Sequence, residues 1–306
     1  MAQFLTRRLI LSLFILLGVS FIVFIIMHMA PGDPVRVVAG LDAPAEVVEA
    51  IRREWGFDQP IYVQYIRWLR RAVLLDFGRS AITGETVAFS ILSRLPNTIK
   101  LNLAAYAVAL GIGVPLGILS ALKQYSFLDH AGTVVALIGI SMPSFWLGLL
   151  LIIVFSLNLG WFPSFGAGTL GHYVLPTMSL ATAQIALLMR MSRSSMLEVM
   201  KKDYIRTARA KGLGERVVVY KHMFKNAAIP IVTVIGMRLA YVVGGSVIIE
   251  SVFSWPGVGR LAINSLHSRD YFVTQGVVFM TALCIVVMNL LVDLSYAYLD
   301  PRVRYN

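Results

Sequence analysis

The feature that most constrains this chain is its set of long apolar runs. Six can be counted: Leu9 to Met29, Asn97 to Ala121, Ala131 to Leu157, Tyr173 to Met191, Ala227 to Glu250 and Gly276 to Tyr298. A hydrocarbon core about 30 Å thick is crossed by about 20 helical residues. Lipid offers the backbone no hydrogen bonds, so each run is expected to be a helix that satisfies itself. Composition agrees, because only 14% of the 306 residues are charged and 58% are hydrophobic, whereas a soluble domain carries about 25% charge. A soluble two-domain chain is therefore excluded. An outer-membrane barrel is disfavoured by the lack of alternating segments of about 10 residues. The expected fold is an all-α polytopic membrane protein with six transmembrane helices.

Charge gives the orientation. The net charge is +11, and residues 190–226 hold 10 of the 27 Lys and Arg with only Glu198, Asp203 and Glu215 against them. A basic stretch of this size would suggest nucleic acid in a soluble protein. Between membrane spans it marks the cytoplasmic side instead. Arg7, Arg8, Lys123, Arg302 and Arg304 fall on that same side, which puts both termini in the cytosol. The basic stretch is also patterned. Leu197, Met200, Tyr204 and Ala208, then Val217, Tyr220, Phe224 and Ala228, recur at helical spacing on either side of Gly212-Leu213-Gly214. A short surface helix, a glycine turn and a second helix entering the membrane near Pro230 are expected.

Residues 31–95 form the main segment on the opposite side, with eight basic and eight acidic residues and hence no cytoplasmic bias. Val47, Val48, Ile51 and Trp55 line one side of a first helix, and Ile61, Tyr65, Ile66, Leu69 and Val73 one side of a second. Asp58 is expected to cap that second helix, with Pro60 at its first position. The segment reads as a small helical cap on its own membrane domain, as a contact surface for an external partner, or as both.

Within the spans, Gly111, Gly113, Gly117, Gly236, Gly244 and Gly245 permit close helix packing, and Ser141-Met142-Pro143-Ser144 predicts a kink. Lys100 can snorkel to the external end of its span. Gln184, Arg238, Asn289 and Asp293 are the candidate pathway or intramembrane polar groups. An Arg at mid-depth is costly, so Arg238 needs a polar surface: a structural ion pair, a carbonyl cap or the solute path. Asp293 sits where a cytoplasmic-side Arg can pair with it. Cys284 cannot form an internal disulfide, the five His are scattered, and no HExxH, CxxC, GxSxG or GxxxxGK[ST] motif occurs. No catalytic, cofactor-binding or metal-binding residue is expected.

The chain resembles the inner-membrane permease subunits of ATP-binding cassette importers for dipeptides, oligopeptides, glutathione and nickel. The residues that carry the likeness are Pro31-Gly32-Asp33-Pro34, Phe57-Asp58-Gln59-Pro60, Asp76-Phe77-Gly78-Arg79-Ser80 and Arg94-Leu95-Pro96-Asn97-Thr98. They continue with Gly160-Trp161-Phe162-Pro163, residues 203–213, Lys225 to Pro230, Glu250 to Arg260 and Arg269-Asp270-Tyr271. The resemblance implies the type I importer permease fold with a small periplasmic insertion. It divides the chain into a first transmembrane helix (1–30), a periplasmic segment (31–95), a five-helix core (96–300) with a coupling segment at 197–226, and a cytoplasmic tail (301–306).

It also implies function. The stretch around residue 206 resembles the Glu-Ala-Ala loop that docks on the ATPase, with Arg206-Thr207-Ala208 in the place of Glu-Ala-Ala, and with Tyr204, Gly212 and Leu213 beside them. Position 206 thus departs from the usual glutamate, and the 17 residues between Gly212 and Pro230 exceed the usual spacing. The implied partners are a homologous second permease, two ATPase subunits that hold ATP and magnesium, a periplasmic solute-binding protein, the lipid bilayer of the inner membrane and a short peptide substrate. No nucleic acid is implied. Peptides of about two to five residues come first as cargo on this resemblance, ahead of glutathione and nickel chelates. An ion-coupled secondary transporter or channel is the alternative from another class, and would more naturally show an internal repeat or paired broken helices. A membrane anchor is the third reading.

If Arg238 borders the solute path, Arg238→Cys in a Cys284→Ala background will react with a small hydrophilic thiol reagent, at a rate that changes when partner ATPases are trapped with nucleotide. Absence of labelling in every trapped state of a transporting complex leaves Arg238 a structural group.

Overall fold

The computed structural model describes residues 2–29, 33–40, 42–239, 242–244 and 246–299. The predicted tail at 301–306, with Arg302 and Arg304, lies outside the described residues, as do Pro31, Gly32 and Gly245. The described chain is helical and divides into two compact units, residues 1–98 with 256–306, and residues 99–255.

The first unit joins the two ends of the sequence. Its helices are α1 (Ala2–Met29), α2 (Pro34–Ala39), α3 (Ala45–Trp55), α4 (Ile61–Val73) and α5 (Val87–Leu92). The start of α6 (Leu95–Leu122) belongs to it as well. Asp33 caps α2 by accepting from the Val35 amide at 3.0 Å, and Gly56 closes α3 in the left-handed conformation. Pro60, expected as the first residue of α4, stands instead at its N-cap, and no side chain caps it. The Asp58 carboxylate accepts from Gln59 rather than from the helix.

The second unit holds most of α6, then α7 (Phe127–Ser141), α8 (Ser144–Leu151), α9 (Leu170–Met200), α10 (Asp203–Ala210), α11 (Glu215–Val217), α12 (Lys225–Leu239) and α13 (Val247–Val252). Two of these are prolonged by π-helical turns, α8 through Ile152–Asn158 and α11 through Val218–Phe224. The chain returns to the first unit with α14 (Val258–His267) and α15 (Tyr271–Leu299).

Among the described residues, four stretches are long and apolar enough to cross a membrane: Thr6–Met29, Val87–Leu122, Leu170–Met200 and Tyr271–Leu294. A fifth crossing is formed if Phe127–Ser141 and Ser144–Asn158 count as one span. They meet at a bend of 103°, where Pro143 has no amide hydrogen to continue the ladder. The run from Ala227 to Glu250, expected as an unbroken span, is not one. Helix α12 ends at Leu239, residues 242–244 are turns, and α13 is a separate helix of 6 residues. Glycine and serine near 244–246 lower helix propensity enough for the chain to break there. Hydropathy averages over such a break.

In the first unit, α1 and α15 lie together, and Arg8 pairs with Asp293 at 3.0 Å. The core is built on Ala72, Phe77, Val87, Ile91, Val258, Val273 and Val277. Sequence stretches far apart are stapled here by polar side chains. Asn97 Nδ2 donates to the Pro256 carbonyl at 3.0 Å, and the Val258 amide donates to Thr98 Oγ1 at 2.9 Å. Ser80 donates to the buried Asp270 carboxylate. The motifs Arg94 to Thr98, Asp76 to Ser80 and Arg269 to Tyr271 therefore hold this unit's backbone together. Arg71 donates to Asp76 at 2.9 Å, and this bond, together with the Gly78 amide, holds that carboxyl below the ordinary aspartate range.

In the second unit, α6 and α9 are in close contact. A Cβ on Gly113 would stand 2.7 Å from the Ile185 carbonyl, and one on Gly117 would stand 2.5 Å from that of Met189. Helix α9 runs past its expected end at Met191 to Met200, which carries Arg193 inward. Arg193 Nε and Nη2 donate to Asp129 Oδ1 and Oδ2 at 2.6 and 2.7 Å. Asp129, 3% exposed, also accepts from Ser120 and from the Tyr125 amide. One carboxylate thus ties α6, the turn after it, α7 and α9.

Removing either partner of a buried ion pair strands the other, at a cost of about 3 kcal/mol when one of them is partly exposed. Asp129→Leu and Arg193→Met are each expected to lower the thermal midpoint of the purified protein clearly. The double variant Asp129→Leu with Arg193→Met should recover most of the loss. A double variant whose loss equals the sum of the two single losses would show that the pair is not coupled.

Candidate functional site

The patterned basic stretch folds as a helical hairpin. Lys201 and Lys202 turn the chain out of α9, and Asp203 opens α10, where a negative charge suits the helix dipole. Ile205 and Ala208, 0% and 5% exposed, are its inward side chains. They enter a cluster with Ile118, Ala121, Met196, Val199, Val218, Val219, Met223 and Ala227. The turn after α10 uses Gly212 at φ +76°, with no atom within 4 Å of where a Cβ would sit. Across that turn Arg209 Nη2 donates to Glu215 Oε1 at 2.6 Å, and Nε to Oε2 at 3.2 Å. The hydrogen bonds from Arg209 hold the Glu215 carboxyl below the usual glutamate range. The brace is therefore complete at neutral pH and is lost only as pH falls through that depressed value.

The outward face carries Tyr204, Arg206, Thr207, Gly212 and Leu213, all exposed. Exposed Lys201, Lys202, Lys211, Arg216 and Lys221 surround them, and Val217 and Tyr220 extend the apolar part. One expectation is corrected here. Ala208, read as facing a partner, points into its own chain, because Ile205 and Ala208 three residues apart form the inward stripe. An acidic residue at 208 would therefore disrupt internal packing. In the second helix, Val218, Val219, Met223 and Ala227 are the buried positions. Val217 and Tyr220 are exposed and Phe224 only half-buried. Both faces are apolar, so periodicity alone does not decide between them.

The other candidates are placed as follows. In the second unit, Gln184 is half-buried on α9, and Arg238 is exposed in the last turn of α12, its carbonyl accepting from Tyr106 Oη at 3.0 Å. In the first, Asn289 is exposed on α15, and Asp293 is the partner of Arg8. Among the described residues no group of three or more His, Cys, Asp or Glu is placed to hold a metal ion.

Two polar clusters were not singled out from sequence. Asp129 was hidden at the start of an apolar run, although Ser126 three residues earlier, which accepts the Asp129 amide at 3.3 Å, is a legible helix-start signal. Fully buried Glu250 accepts from Ser246 Oγ, itself the acceptor of Asn102 Nδ2, both at 2.8 Å. The sequence reading used Glu250 only as the end of a span.

The first unit also contains a small cavity of about 50 Å³ lined by Trp55, Phe57, Trp68, Tyr271, Phe272 and Gln275 among others. Gln275 Nε2 donates to Tyr271 Oη at 3.0 Å, while its buried Oε1 has no donor within the described chain.

Residues 113–305 match the model of the binding-protein-dependent transport system inner membrane component, and residues 1–102 that of the corresponding N-terminal region. The chain belongs to this importer permease family. It is a transport subunit of a membrane complex and not an enzyme. It is 43% identical over 316 residues to the oligopeptide transport system permease protein AppB of Bacillus subtilis, with both chains covered in full. It is 42% identical over 305 residues, again with full coverage of both, to the glutathione transport system permease protein GsiC of Escherichia coli K12. Among solved structures, the MetNI methionine ABC transporter in inward-facing conformations gives a TM-score of 0.53 at 19% identity, covering 69% of this chain and 94% of that one. That likeness supports an all-α, multi-pass membrane fold of the importer permease type.

A valine at Gly212 would meet no atom, so its cost is conformational, about 1–2 kcal/mol for a left-handed non-glycine residue. Gly212→Val is expected to misplace Leu213 and the Arg209–Glu215 brace, cutting transport while the protein remains in the membrane. Gly212→Asn, a residue that tolerates this conformation, should transport like the parent. Equal transport by both variants would show that the turn's geometry has no part in function.

Proposed function

We propose that this chain forms half of the translocation pathway of an ATP-driven importer for short peptides, with a homologous second permease supplying the other half. Two ATPase subunits would hold ATP and magnesium, and a solute-binding protein would deliver cargo on the outer face. The observation that carries the reading is the helical hairpin of α10 and its turn. It combines an inward apolar stripe that fixes it to the membrane helices with an outward face of Tyr204, Arg206, Thr207 and Leu213 free to meet another protein. A channel or an ion-coupled transporter would have no use for such an element.

Coupling then works as a linkage between two states. Movement of the ATPases is felt at α10, and packing of Ile205 and Ala208 passes it to α6, α9 and α12. The six crossings expected from hydropathy, with both termini in the cytosol, remain our topology for the assembled complex, the sixth being the broken stretch from α12 to α13.

Cargo moves one step from the sequence expectation. Glutathione permeases are the more numerous among the relatives at about the same identity as the oligopeptide permease. Glutathione, a tripeptide, therefore takes the leading place, followed by other short peptides. Deleting the gene in a strain that imports both labelled glutathione and labelled dipeptides is expected to abolish uptake of the first, and complementation should restore it. Loss confined to dipeptides would return the cargo to the wider peptide class. Uptake of both unchanged, with the complex intact in the parent, would reject the importer reading. Tyr204→Ala with Leu213→Asp should leave the permease in the membrane and reduce ATPase co-purification.

A further inference from the structure

Helix α4 has three faces where a surface helix of a soluble protein has two. Tyr65, Trp68 and Ala72 point inward, with Ala72 buried. Tyr65 Oη meets Ser20 Oγ of α1 at 2.9 Å, Gln64 Oε1 meets His28 Nε2 at 2.9 Å, and the Trp68 ring packs on Phe24 and Phe279. A second face is apolar and uncovered: Tyr62, Ile66 and Val73 are exposed, with Val73 at 70%. At 3.6 residues per turn these three fall on adjoining positions of one side. The third face is basic, with Arg67, Arg70 and Arg71 exposed. Arg71 is engaged by Asp76, whereas Arg67 and Arg70 have no carboxylate within ion-pair distance among the described residues.

The contacts place α4 beside the stretch of α1 from Ser20 to Met29. On that stretch of α1, Phe21, Ile22, Ile26 and Met29 are themselves exposed, as lipid-facing residues of a membrane span should be. The uncovered apolar face of α4 is thus next to the lipid-facing surface of a span, in that span's half towards Met29. An apolar face flanked by arginines near the end of a span is the pattern of a helix lying in the membrane interface. Arginine suits phosphate through paired hydrogen bonds.

We infer that α4 is an interfacial membrane helix. Tyr62, Ile66 and Val73 enter the acyl region of the leaflet at the Met29 end of α1, and Arg67 and Arg70 bind phospholipid phosphates. The segment between α1 and α6 is then partly a lipid-contacting element, and bilayer composition acts on the first unit through it.

The test uses the full chain assembled with its partner subunits in nanodiscs of phosphatidylethanolamine and phosphatidylglycerol. Single nitroxides are placed through Ile66→Cys, Val73→Cys and Arg70→Cys in a Cys284→Ala background, and only transporting complexes are measured. Labels at 66 and 73 are expected to be relaxed strongly by oxygen and weakly by a water-soluble nickel chelate, with the ratio reversed at 70. Nickel access at 66 and 73 would place the face in water, and loss of access to both reagents would place it under a protein partner; either result overturns the proposal. Arg67→Gln with Arg70→Gln is expected to lower the phospholipid phosphorus retained per complex after mild detergent extraction. Unchanged retention would overturn the assignment of these arginines to phosphate.

Discussion

A bilayer supplies no hydrogen bonds to a polar group that enters it, so each such group must bring its own partner or face a wet surface. That constraint explains much of what the sequence left unassigned. Asp129 is matched by Arg193, Ser120 and a backbone amide. Asp293 is matched by Arg8, and Asn102, Ser246 and Glu250 form a chain of hydrogen bonds. His28 is held between Gln64 and Tyr271. Each pairing joins elements distant in sequence. A polar residue in a span here is chiefly a statement about which helices are neighbours.

The same logic explains why the family motifs carry no chemistry of their own. Asn97 and Thr98 hold the backbone at Pro256 and Val258, and Ser80 holds Asp270. These residues fix turns where spans enter and leave the first unit. What these motifs visibly do in this chain is hold backbone in place.

Much of the fold was legible because hydrocarbon imposes length and apolarity together. Four crossings and the bend at Pro143 followed from hydropathy and from a missing amide hydrogen. The break between α12 and α13 was lost because a window average stays apolar across Gly244 and its neighbours. In the basic hairpin the sequence revealed the turn at Gly212 and the basic surround. It left open which apolar face is buried, since Val217 and Tyr220 line one apolar side and Val218 and Met223 another. Only the packing of α10 on Ile118, Met196 and Met223 decides that. Asp129 escaped notice because an acid near the end of a span looks like a boundary until its arginine is found on another helix.

The attachment of α10 has a mechanical meaning. It is held by two small-to-medium side chains, Ile205 and Ala208, seated in a socket built by several helices, and its far end is pinned by Arg209 to Glu215 across the turn from Gly212 to Gly214. Such a joint resists being pulled away, because that would expose the socket to water. It resists swivelling far less, since apolar contact has no preferred direction. Under the proposed coupling, a push on the outer face of α10 would be turned into tilt of the helices beneath it, while the hairpin itself kept its shape.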